Sequence, residues 1–166
     1  MENLLLKYCI LLSLLFGLSS CEKTVAPSDT DSIVLARVTD RGAVVPDALQ
    51  YVTSVYASGK IEYTEITSDS KKTKSCRTAN LSMNDLNSIR ESITANHLTG
   101  QGNIIPETFT GCTGSQGIEV TVAGNAEDVQ NTFIIAGSLR CCEEKIPENV
   151  RTFLGTMENL RVQYIR

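Results

Sequence analysis

Gln50-Tyr-Val-Thr-Ser-Val-Tyr-Ala-Ser-Gly-Lys-Ile-Glu-Tyr-Thr-Glu-Ile-Thr67 is the stretch on which the fold turns. Two runs rich in β-branched and aromatic residues, 50–57 and 61–67, flank the short turn signal Ser58-Gly59-Lys60. Such runs suit a pleated, half-buried surface, and so short a connection can only return the chain antiparallel. A β-hairpin is therefore expected here, and with it an antiparallel sheet.

Working outward, Ser32-Ile-Val-Leu-Ala-Arg-Val-Thr39 has the composition of another strand, closed by the turn residues Asp40-Arg41-Gly42. Residues 68–80 are polar without apolar alternation and are expected to be loop. Ser82 has the character of a helix N-cap, with Asp85 three residues on. Leu86, Ile89 and Ile93 then recur at helical spacing, so an amphipathic helix is expected over 83–95. Residues 97–116, with four glycines and Pro106, read as a long loop.

Ile118, Val120 and Val122 alternate with Glu119 and Thr121, the pattern of a half-buried strand. Phe133–Gly137 pairs with it in a second expected hairpin, with Val122 set opposite Phe133. Pro147 suits the first position of a closing helix. Val150, Phe153, Leu154, Met157 and Leu160 form that helix's apolar stripe, and Gly155 weakens its interior. Val162–Ile165 fits either an edge strand or the helix end. Strands, helix, hairpin, helix is an α+β order. It implies an antiparallel sheet of about four to six strands with two helices packed on one face.

The N-terminus carries a different message. Lys7 and the amino group outweigh Glu2, and Tyr8–Leu18 is apolar apart from Ser13 and Gly17. About 20 apolar residues are needed to span a bilayer, so this run has the length of a signal-peptide core. It ends in Leu18-Ser-Ser-Cys21, which resembles the lipobox of bacterial lipoproteins. The resemblance implies cleavage before Cys21, lipid on its sulfur, and a chain anchored to a membrane rather than spanning it. Glu22 is not the aspartate that resembles an inner-membrane retention signal, so the outer membrane of the cell envelope is favoured. The expected organisation is a signal peptide over 1–20, a lipidated cysteine and polar tether over 21–31, and one domain over 32–166.

Of the six cysteines, Cys9 lies in the signal and Cys21 takes the lipid. Cys76, Cys112, Cys141 and Cys142 remain, an even number in an exported chain, and disulfides are expected among them. The adjacent pair disfavours a Cys141–Cys142 bridge. The hairpin register above brings Cys112 near Cys141 and Cys142, leaving Cys76 to take the other. The irregular spacing does not suit zinc, and no metal or cofactor is expected.

The chain holds 15 basic and 19 acidic residues, a net charge of −4, which argues against a nucleic-acid partner. The one histidine, His97, follows the first helix and has no G-x-S-x-G nucleophile to serve. Glu62 and Glu65 fall on opposite faces of one strand. Glu143, Glu144 and Glu148 surround the start of the last helix, where acidic groups complement its dipole. Lys71, Lys72, Lys74 and Arg77 form the basic cluster, a solvated face or a docking patch for an acidic partner. The glycine-rich Gly111–Gly117 lacks the P-loop lysine. Asn80-Leu81-Ser82 matches a glycosylation sequon without consequence in a bacterial chain.

These observations point to a non-catalytic binding or structural module of the envelope, its partners the membrane through Cys21 and an envelope or secreted protein. The element order over residues 50–160 is similar to that of emfourin-type protease inhibitors, which implies inhibition as an alternative function. An envelope enzyme working through carboxylates is the second alternative.

Overall fold

The computed structural model describes residues 33–42, 45, 47–68, 70–105, 117–124, 130–136 and 145–165. Among these residues six strands form an open antiparallel sheet: β1 (Val34–Asp40), β2 (Leu49–Tyr56), β3 (Lys60–Thr67), β4 (Thr73–Asn80), β5 (Ile118–Ala123) and β6 (Gln130–Ile135). Their order across the sheet is β4-β3-β2-β1-β5-β6. Two helices among the described residues, α1 (Met83–Ala95) and α2 (Glu148–Tyr164), complete an α+β fold.

The hairpin of residues 50–67 is β2–β3. Gly59, at φ 89°, closes its turn by donating its N–H to the Tyr56 carbonyl at 2.9 Å. That φ is open to glycine at no steric cost. The resulting register sets Val55 opposite Ile61 and Thr53 opposite Tyr63. Alternation then sorts the side chains. Ala36, Val55, Ile61 and Val122 share one row of the sheet and are fully buried. Leu86, Ile89 and Ile93 of α1 and the Val150–Leu160 stripe of α2 belong to the same core. The opposite face is mostly polar, with Arg37, Thr39, Glu62, Thr64, Thr121 and Thr132 on it by alternation.

Three expectations are corrected. Residues 73–80 are not loop but strand β4, paired with β3 from Lys60↔Asn80 to Ile66↔Thr73. An edge strand with little burial on either side needs no apolar alternation, so its sequence shows none. In the second hairpin Val120, not Val122, faces Phe133, and Val122 faces Asn131. The strand starts earlier, at Gln130, so the connection is shorter than read. A shift of two keeps every side chain on its face, and the core membership of Val120, Val122 and Phe133 is unchanged. Pro147 is the N-cap of α2 rather than its first helical residue. Its extended ψ of 141° keeps it outside the helix while its carbonyl accepts the N–H groups of Val150 and Arg151 at 3.0 Å.

The end of α2 resolves the choice left open for Val162–Ile165. The helix continues through Tyr164, and Ile165 caps it as a buried core residue. Within the expected 97–116 loop, Leu98–Gly100 forms a 3₁₀ turn whose Leu98 is fully buried. Asn131 on β6 pins that turn by donating to the carbonyls of Leu98 (2.8 Å) and Gln101 (3.0 Å).

Candidate functional site

A cleft of about 300 Å³ opens between α2 and the helix-facing side of β1–β3. Its residues follow from the register. Val38, Thr53 and Tyr63 lie in one row across the sheet, and Asp40 and Tyr51 lie in the next. Ile118 sits beside Asp40 on β5. Leu154, Met157, Glu158 and Arg161 reach in from α2, where their spacing places them on one side of the helix.

The floor is apolar: Ile118, Leu154 and Met157 are almost wholly buried. The wall is aromatic. Tyr51 and Tyr63 stack with ring centroids 6.3 Å apart and planes 12° from parallel, an offset arrangement that aromatic pairs prefer. Tyr63 is buried, whereas Tyr51 is 38% exposed and presents its ring at the opening. Arg161 covers the other part of the wall, its guanidinium carbon 5.2 Å from the Tyr63 ring centre. Glu158 holds Arg161 through both carboxylate oxygens, the Nε contact being 2.7 Å.

Electrostatics follow from these contacts. The hydrogen bond to Glu158 is the main reason the Arg161 guanidinium is held even more firmly in its charged form. Burial raises the Tyr63 hydroxyl above its usual range; the nearby Glu65 charge adds to this, and Arg161 opposes it. Asp40 at the rim accepts the N–H of Gly42 at 2.9 Å on one oxygen. The cleft therefore offers a dry floor, one accessible ring face, a phenol kept neutral, and a fixed carboxylate–guanidinium pair. That set suits holding a small amphiphile by an apolar face while bonding its polar edge.

The residues singled out from sequence are not gathered in this cleft. Cys76 lies on β4, on the polar face opposite the helices, and accepts a hydrogen bond from Thr64 Oγ1 at 3.8 Å. Glu62 and Glu65 do lie on opposite faces. Glu62 accepts from the Tyr56 hydroxyl at 3.3 Å and pairs with Lys60 at 3.6 Å. His97 is exposed and left-handed (φ 51°) at the start of the 3₁₀ turn. Glu148 occupies the first turn of α2. Lys71, Lys72, Lys74 and Arg77 run along the β3–β4 turn and β4. Cys21, Cys112, Cys141, Cys142, Glu143 and Glu144 lie outside the described residues.

Sequence reasoning missed the cleft. Its legible signal was the aromatic pair. The turn at 58–60 fixes Tyr51 and Tyr63 on the same face of one hairpin, diagonally adjacent, where aromatic rings can touch. What could not be read was that α2 stands off enough to leave the rings partly uncovered. Among the described residues no group of three His, Cys, Asp or Glu side chains is placed to hold a metal ion. No described helix is long and apolar enough to cross a membrane. Compared with known proteins, the chain matches no family model and no curated sequence.

Proposed function

We propose that this chain is a lipid-anchored, non-catalytic binding module of the bacterial envelope, and that it takes a small, ring-bearing amphiphile between α2 and the β1–β3 sheet. The observation that carries the binding reading is the Tyr51–Tyr63 pair above an apolar floor, with the Glu158–Arg161 clamp beside it. The anchor rests on the lipobox-like Leu18-Ser-Ser-Cys21. Oxidised cysteines belong to the same reading. It rests on the even number of cysteines, Cys76, Cys112, Cys141 and Cys142, that remain beside Cys9 and Cys21 in an exported chain.

The chain has no tryptophan and five tyrosines, of which Tyr51 and Tyr63 line the cleft, so intrinsic tyrosine fluorescence carries a signal from it that Tyr51→Ala can isolate. Titration with a panel of small saccharides and aromatic acids should change it for at least one member of the panel. Tyr51→Ala should remove the response. A panel without any response, or a response unaltered in Tyr51→Ala, rejects the cleft as a ligand site. Turnover of a bound compound that Asp40→Asn or Glu158→Gln abolishes would reassign the module as an enzyme. For the anchor, acylation and processing that persist in Cys21→Ser would refute it. Alkylation of the unreduced protein, read by mass spectrometry, should label none of Cys76, Cys112, Cys141 and Cys142.

A further inference from the structure

We propose that the outer edge of β4 is a docking strand for an extended, acidic segment of a partner polypeptide, which joins the sheet as a further strand.

The two edges of the sheet are treated differently. At β6 the chain covers the end of its own edge through one parallel bridge: Ile104 donates its N–H to the Ile134 carbonyl (2.8 Å) and accepts that of Ala136 (2.9 Å). Asn103 Oδ1 takes the Ile134 N–H at 2.9 Å. At β4 the ladder to β3 runs unbroken from Asn80 to Ser75, a bulge at Lys74 precedes the last pair, Ile66↔Thr73, and no described strand lies on its other side. In an antiparallel strand, alternate residues turn their N–H and C=O groups away from the paired neighbour. Those of β4 therefore form a template for one more strand.

Charge decides what can use it. Residues 70–84 contain Lys71, Lys72, Lys74 and Arg77 and no carboxylate, in a chain of net charge −4. All four side chains are exposed, and none forms an ion pair among the described residues. Edge lysines repel a second copy of the same edge, which disfavours pairing of β4 with itself. The same charges attract an acidic strand. Strand addition draws affinity from backbone hydrogen bonds and selectivity from side chains. Because the exposed residues of β4 are polar, charge is the selecting feature, and the interaction should be salt-sensitive.

The full chain is titrated with a peptide of about ten residues alternating glutamate and valine, long enough to pair along all of β4. A lysine–valine peptide serves as control. Two N-methylated versions of the acidic peptide block its backbone donors on alternate residues, one set in each. The acidic peptide should bind and shift the β4 amide resonances, while the basic one should not. Affinity should fall about tenfold or more between low salt and a Debye length near 3 Å. Lys74→Glu with Arg77→Glu should lose about tenfold or more, and Lys74→Gln with Arg77→Gln an intermediate amount. One N-methylated peptide should fail and the other should bind. Equal binding by both would show attraction without a ladder and overturn the proposal. So would an acidic peptide that shifts no β4 amide, or one that binds the charge-reversed variant as tightly as the parent chain.

Discussion

The Tyr164 hydroxyl donates to the Asp85 carboxylate at 2.5 Å, joining residues 79 apart in sequence. The same oxygen accepts the Ser82 N–H at 3.1 Å. Ser82 in turn accepts the Asp85 N–H at 3.2 Å and donates to its carboxylate at 2.7 Å. The last residue of α2 thus completes the N-terminal cap of α1, so the two helices are fastened at one end by a shared polar knot.

Tyr164→Phe removes both bonds and leaves the Ser82 N–H without this acceptor. Urea unfolding should show a loss of about 1–2 kcal/mol. The Tyr164 bond, with that of Ser82 behind it, holds the Asp85 carboxyl below its usual range. Its contribution is therefore complete above the unfolded carboxylate range and lost as pH falls through the lower folded value. Asp85→Asn should flatten that acid limb of the stability curve. An unchanged limb would exclude the knot as its source.

Gly155 lies exposed inside α2, and a methyl group there meets nothing within 4 Å. Gly155→Ala should raise stability by about 0.5–1 kcal/mol, through reduced backbone freedom in the unfolded chain and better helix propensity. Thermal unfolding checks this, and a lower melting temperature contradicts it.

Gly42 is the opposite case. It sits at φ 68°, and a Cβ there would lie 2.3 Å from the Leu49 carbonyl oxygen, which belongs to the backbone and cannot swing away. Gly42→Ala should cost about 2 kcal/mol or more, since both the dihedral and the contact oppose it. Circular dichroism during urea unfolding should place its midpoint well below that of the parent chain.

Tyrosinate absorbance in an alkaline titration should resolve two late groups. Burial raises both Tyr56 and Tyr63, with a neighbouring glutamate, Glu62 or Glu65, adding to it. A raised folded value means the unfolded chain loses these protons first. Their effect on stability is thus absent below about pH 10 and increasingly unfavourable as pH rises past it. Tyr56→Phe and Tyr63→Phe should each delete one late step.

The parts of the fold legible in sequence are those whose side chains alternate or recur because one face is dry. The β2–β3 hairpin, β1, β5 and α1 are of this kind, and so is the α2 stripe from Val150 to Leu160. β4 was not legible because Thr73–Asn80 owes its conformation to pairing with β3 and not to any pattern of its own. The Phe133 register was displaced because nothing in the connection specifies its length. Tyr51 and Tyr63 were visible as strand residues. Their role as a cleft wall depends on α2, a hundred residues away, and on Arg161 lying over the Tyr63 ring.

β1 is the first described strand and is hydrogen-bonded on both sides, to β2 and to β5. Any pull transmitted through the chain ahead of Val34 would therefore load two antiparallel ladders lengthwise. Many hydrogen bonds would have to yield together, instead of peeling away one by one as at an edge. Resistance to such a pull is governed by the rate of forced unfolding and not by equilibrium stability. Were the chain held at its N-terminus, as proposed, it would gain mechanical endurance from having its first described strand in the middle of the sheet.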